Sequence, residues 1–149
     1  MLREKEALVL EVVRRNCRAS LALMSRLTGI PQSTLHSLLR AIEERAVIKH
    51  ACLLDFERLG YPLRKRYLLR AKRREELLAF LRECVVVNNL YRTDLVEAYA
   101  EACFATAREA EEFRHLLSRR GARPVKILDV LEELKHEEFV PRASPARNS

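Results

Sequence analysis

Between Gln32 and Glu44 the chain carries hydrogen-bonding side chains at helical spacing. Ser33, His36, Ser37, Arg40 and Glu44 recur every three to four residues, while Leu35, Leu38, Leu39 and Ile42 recur at i, i+3, i+4 and i+7. One face is therefore apolar. The other opens with hydroxyls, an imidazole and a guanidinium, which is the chemistry that bonds base edges in a DNA major groove. The planar fork of Arg40 suits a guanine or a phosphate bidentately. Gln32, at the helix entrance, offers an amide to adenine or to a phosphate. Thr34 adjoins the apolar stripe, so it either contacts DNA or only caps and packs. The plain alternative is an ordinary solvated face.

Such a helix needs a platform. Leu2, Val9, Leu10 and Val13 predict a first helix with an apolar stripe, and Asn16-Cys17-Arg18-Ala19 ends it. Ser20 is suited to cap a second helix, because its hydroxyl can accept from a free N–H of the next turn. Leu21, Met24 and Leu27 give that short helix an inner face, and Gly29 suits the left-handed residue that closes it. Helix, short helix, tight turn, amphipathic helix is the helix-turn-helix plan. After it, Val47 to Leu54 reads as a short strand or wing.

Charge is placed unevenly along the 149 residues. Residues 1–55 hold 9 Lys and Arg against 6 Asp and Glu, residues 56–74 hold 8 against 1, and residues 75–149 hold 11 against 14. The densest cations are Arg64-Lys65-Arg66 and Lys72-Arg73-Arg74. A basic patch beside a reading helix is the footprint of phosphate contact. The other readings are solubility charge flanking a strand, or a subunit interface. The acidic C-terminal half faces other work. No apolar run approaches the roughly 18 residues of a membrane span, and the N-terminus is charged rather than signal-like. Cys17, Cys52, Cys84 and Cys103 are scattered without a CxxC pair, which suits reduced, partly buried thiols in a cytosolic protein. With His36, His50, His115 and His136 they give no finger-like spacing, so no metal and no cofactor is expected.

The C-terminal half alternates strand and helix signals. Pro62 to Arg70 predicts a strand, Arg74 to Cys84 a helix, Val85 to Tyr91 a strand. Val96 to Phe104 alternates strictly, with Val96, Ala98, Ala100, Ala102 and Phe104 on one face and Glu97, Tyr99, Glu101 and Cys103 on the other. Thr106 and Glu109 suit a capping box for a helix on Ala110, Phe113, Leu116 and Leu117, which Gly121 ends. Val125 to Leu131 predicts a last strand. The order β-α-β-β-α-β is the ferredoxin-like split motif. Residues 141–149 are polar and proline-bearing, as a disordered tail is.

Several markers together resemble the Lrp/AsnC (feast/famine) transcriptional regulators, over roughly residues 2 to 140. They are Leu2 with Val9-Leu10, Asn16-Cys17-Arg18-Ala19-Ser20, Gly29-Ile30, Ala46-Val47-Ile48 and Leu59-Gly60-Tyr61. Arg3 and Glu6 stand where the family usually has aspartates, and Pro31 where it usually has a serine. The resemblance implies an α+β chain: a winged helix-turn-helix DNA-binding domain over 1–55, a junction over 56–62, and a ferredoxin-like βαββαβ ligand-binding and dimerisation domain over 63–140. It implies a regulator of transcription that binds double-stranded DNA as a homodimer, a tetramer or an octamer, in the cytoplasm on the nucleoid. On matching positions Gln32, Ser33, Thr34, His36, Ser37 and Arg40 meet DNA through the reading helix, and Arg18, Arg26, Lys49 and His50 meet its backbone.

The family's amino-acid sensors usually carry a glycine, two spacers and an aspartate before the third strand. Here those positions are Asp94 and Glu97, with Thr93 beside them. Losing the glycine removes the freedom to bring N–H groups close to a ligand carboxylate. Asp94 would repel that carboxylate, whereas Glu97 could receive an ammonium group. The readings are a turn without a ligand, or a small-molecule effector of another kind such as a cation. Two other classes share the plan: an enzyme of the siroheme decarboxylase type, and an architectural or interaction protein. The sequence offers no nucleophile–base pair and only 6% aromatic residues, so it is not expected to be an enzyme.

Overall fold

The computed structural model describes residues 3–47, 49–135 and 139. Leu2, Ile48, His136 and the segment 141–149, each given a part in the sequence reading, lie outside the described residues. The chain divides into two compact units. One holds the described residues up to Leu53, with Lys135 and Phe139, and the other holds Leu54–Leu134.

The first unit contains α1 (Glu4–Arg15), α2 (Leu21–Thr28) and α3 (Gln32–Ala46). Its core is Val9, Leu10 and Val13 of α1, Met24 of α2, Ile30 of the turn, and Leu35 and Ile42 of α3. The apolar periodicity therefore places the inner faces of α1 and α3 correctly. It misplaces Leu27, which is 63% exposed: an eight-residue helix turns its last turn outward once Met24 has filled the space. Ser20 caps α2, its Oγ accepting from Leu23 N at 3.2 Å, and Gly29 closes it at φ +70°, a conformation costly to any residue with a Cβ.

The expected wing does not form among the described residues. Val47 and residues 49–55 form no strand, because a strand needs a neighbour to bond and the described residues of this unit contain no other. Leu53 and Leu54 are left 65% and 55% exposed.

The second unit runs β1 (Leu63–Ala71), α4 (Arg74–Glu83), β2 (Val87–Tyr91), β3 (Ala98–Phe104), α5 (Ala107–Arg119) and β4 (Ala122–Asp129). The sheet order is β2-β3-β1-β4, and every neighbouring pair is antiparallel. The alternation along β3 is realised as read: Ala98, Ala100, Ala102 and Phe104 are fully buried against Leu77, Leu78 and Leu81 of α4 and Phe113 and Leu117 of α5. Tyr67 of β1 sits edge-on between Phe113 at 5.3 Å and Phe104 at 6.4 Å. Thr106 caps α5, accepting from Glu109 N, and the Glu109 carboxylate returns to Ala105 N at 2.9 Å. Among the described residues no helix is long and apolar enough to cross a membrane.

Candidate nucleic-acid interface

The α2–α3 connection is fixed by local bonds. Thr28 Oγ1 donates to Met24 O and accepts from Ile30 N, and Ser25 Oγ donates to Ile30 O at 2.7 Å. Ile30 is buried behind the turn. Pro31 follows as the residue before the helix, with φ −57° and no capping side chain. The serine-to-proline departure thus removes a capping hydroxyl. Thr34 N and Leu35 N both donate to Pro31 O at 3.0 Å.

From that entrance α3 presents Gln32, Ser33, Thr34, His36, Ser37 and Arg40, all exposed, on a helix whose Leu35 and Ile42 are fully buried. All six predicted reading residues are exposed, Thr34 included; Ser33, Ser37 and Arg40 lie farthest round the helix from Leu35 and Ile42. Arg40 Nε bonds Glu44 Oε1 at 3.0 Å, with both side chains largely solvated, so the guanidinium is held loosely and can be exchanged for a DNA acceptor. His50 Nε2 lies 3.2 Å from Glu43 Oε1. Arg18, Arg26 and Lys49 are exposed around the same unit.

One positioning pair escaped the sequence reading. Glu6 of α1 is buried; its carboxylate accepts from Arg3 N at 2.8 Å and from Arg45 of α3 at 3.1 Å. The bond from the Arg3 N–H is the largest influence lowering its pKa, and burial opposes it. The pair ties the far end of α3 to α1. Its signal was present: Glu6 continues the Val9, Leu10, Val13 stripe, so a carboxylate was being carried into the core.

The basic run of the second unit divides in two. Arg64 bonds Glu101 at 3.0 Å and Glu133 at 2.8 Å, Arg66 bonds Glu101 at 3.0 Å, and Lys65 pairs with Asp129. Asn88 Nδ2 also donates to Glu101. Burial pushes the Glu101 carboxyl up, and the bonds from Asn88, Arg64 and Arg66 together outweigh it, holding it below the usual carboxylate value. The first half of the run is thus answered by carboxylates of its own unit and is not a free phosphate footprint.

Thr93, Asp94 and Glu97 come together in one turn before β3. The Thr93 hydroxyl is closed onto that turn, donating to Val96 O and accepting from Val96 N. Asp94 is exposed. Glu97 is half-buried, and its Oε2 has no hydrogen-bond partner among the described residues. No cluster of three or more His, Cys, Asp and Glu suited to a metal occurs among the described residues.

The same two-unit architecture recurs in known proteins. No family model matches the sequence. An HTH-type transcriptional regulator of Pyrococcus horikoshii is 25% identical over 126 residues, covering 83% of this chain and 82% of its own. A transcriptional regulator of Neisseria meningitidis, solved with L-methionine, superimposes with a TM-score of 0.83 at 22% identity, over 91% of this chain and 94% of its own. LrpC of B. subtilis gives 0.82 at 16% identity over 91% and 98%, and AsnC of E. coli gives 0.76 at 17% identity over 95% and 99%. The chain has the fold of the Lrp/AsnC regulators. The Lrp/AsnC resemblance drawn from scattered residues is borne out across both units, since these coverages leave neither unit unmatched.

Proposed function

We propose that the chain is a sequence-specific DNA-binding transcriptional regulator, that α3 is its reading helix, and that it acts in the cytoplasm as a dimer or a higher oligomer. The observation that carries this is the division of α3, with Leu35 and Ile42 buried and Gln32, Ser33, His36, Ser37 and Arg40 exposed on one continuous hydrogen-bonding face. Two such helices, one per subunit, would meet half-sites about 34 Å apart or a multiple of that. Arg18, Arg26, Lys49 and His50 would supply backbone contacts. No catalytic role is assigned.

An effector site is proposed at Thr93, Asp94 and Glu97. The relative solved with L-methionine motivates the search. The two carboxylates favour a ligand bearing an ammonium group over an ordinary α-carboxylate, and the unpartnered Glu97 Oε2 supports that choice.

Selection from a random duplex library tests the main reading. The wild-type protein should enrich a related set of sites. Arg40→Ala should lose preference at the base pair it reads by about tenfold or more, the worth of one bidentate contact. Identical selected sites for both proteins would remove Arg40, and with it the proposed face, from sequence reading.

A further inference from the structure

The second half of the basic run has a companion that only the fold reveals. β1 ends and β4 begins side by side, with Arg70 opposite Arg123 and Ala71 opposite Ala122. This register joins the β1–α4 connection, with Lys72 and Arg73 before Arg74 at the start of α4, to the end of α5, with Arg119 its last residue and Arg120 its C-cap. Arg73 is bonded to Glu76, and Arg120 stacks over Phe80 at 4.9 Å. Arg70, Lys72, Arg74, Arg119 and Arg123 are exposed and have no carboxylate partner among the described residues.

Two of these placements are unfavourable in isolation. Directly opposed residues of an antiparallel pair lie on the same face, where like charges repel. Arg74 opens α4, so a cation sits at the positive end of a helix dipole. Only Arg119, in the last turn of α5, is placed where the dipole welcomes it. Elsewhere in the same unit, Arg64, Lys65 and Arg66 are each matched by a carboxylate. At this end the cations have been gathered and not matched. They are exposed on strand ends, helix ends and one turn, an open surface that fits a repeating polyanion better than a small anion that would need enclosure.

We propose that this end of the ferredoxin-like unit is a second DNA-binding surface, gripping phosphates without regard to sequence. The proposal rests on the DNA-binding reading above. It adds a contact by residues outside α3, assigned to phosphates and not to base edges. It assigns Arg70, Arg119 and Arg123 to affinity and leaves specificity with Gln32 and Arg40.

The test is a salt titration of the full chain against a long duplex, comparing wild type with a variant carrying Arg70→Gln, Arg119→Gln and Arg123→Gln, and with one carrying Lys at the same three positions. Each lost phosphate contact lowers the steepness of log K against log salt by about 0.9. The Gln variant should therefore be shallower by about 2 to 3, weaker on all sequences alike, and unchanged in sequence preference, thermal midpoint and oligomeric mass. The Lys variant should keep the wild-type slope. A wild-type slope in the Gln variant overturns the proposal, and so does a change in oligomeric mass, which would make the patch a contact with a second copy. Failure of the wild-type protein to bind any duplex would instead remove the DNA-binding reading itself.

Discussion

Glu101 shows how one side chain can decide the behaviour of a sheet face. It is 2% exposed and accepts from two guanidiniums and an amide. Replacing it by Gln leaves Arg64, itself largely covered, with a weaker partner. Breaking a buried pair from one side costs about 3 kcal/mol, so Glu101→Gln should lower the thermal midpoint by about 10 °C or more. The pH dependence has a defined sign. Because the folded carboxyl titrates below its ordinary value of 4.5, its contribution is complete above that value and is lost as pH falls through the lower, folded one. Thermal melts of wild type between neutral pH and pH about 3 should show this loss, and the Glu101→Gln variant should show a shallower slope over the same range. Equal slopes would mean that the carboxylate is not held by its partners.

At the scale of elements, α3, the proposed reading helix, depends on the turn that delivers it. Gly29 sits at φ +70° with nothing within 4 Å of where a Cβ would stand, so Gly29→Ala carries strain without collision. The expected cost is about 1 kcal/mol, seen as a lower denaturant midpoint of the first unit. Ser20→Ala should cost a similar amount through loss of the cap. Both positions were legible in the sequence because caps and turns are local chemistry. The faces of α1, α3 and β3 were legible because periodicity is local too. What is made between distant residues was not: the Glu6–Arg45 pair spans α1 to α3, and the neutralisation of Arg64 depends on β3 and on Glu133. The wing failed for the same reason, since a β-prone run such as Val47 to Leu54 does not reveal whether its chain provides it with a neighbour.

For the molecule as a whole, the helices cover one face of the sheet, and the other carries Arg64, Arg66, Tyr99 and Glu101 beside Leu128, which is 39% exposed. Units of this size bury a small share of their surface and gain from association. Light scattering behind size exclusion should therefore give a mass at least twice the 17.3 kDa of one chain. A monomer at micromolar concentration would contradict the proposed two-helix presentation to DNA. The gross distribution of charge was legible in the sequence, which put the positive excess before residue 75. Their division into a matched and an unmatched group was not, because it is set by strand register.

The most direct measurement is a competition titration of the wild-type protein between its best selected duplex and a scrambled duplex of equal length, at about 50 and 200 mM salt. A regulator reading sequence through α3 while holding six or more phosphates should lose about 10³-fold or more in affinity for both duplexes across that range. It should also prefer the selected one at either salt, and Arg40→Ala should narrow that preference. Equal affinity for the two duplexes at both salts, or no binding at the lower one, would contradict the account.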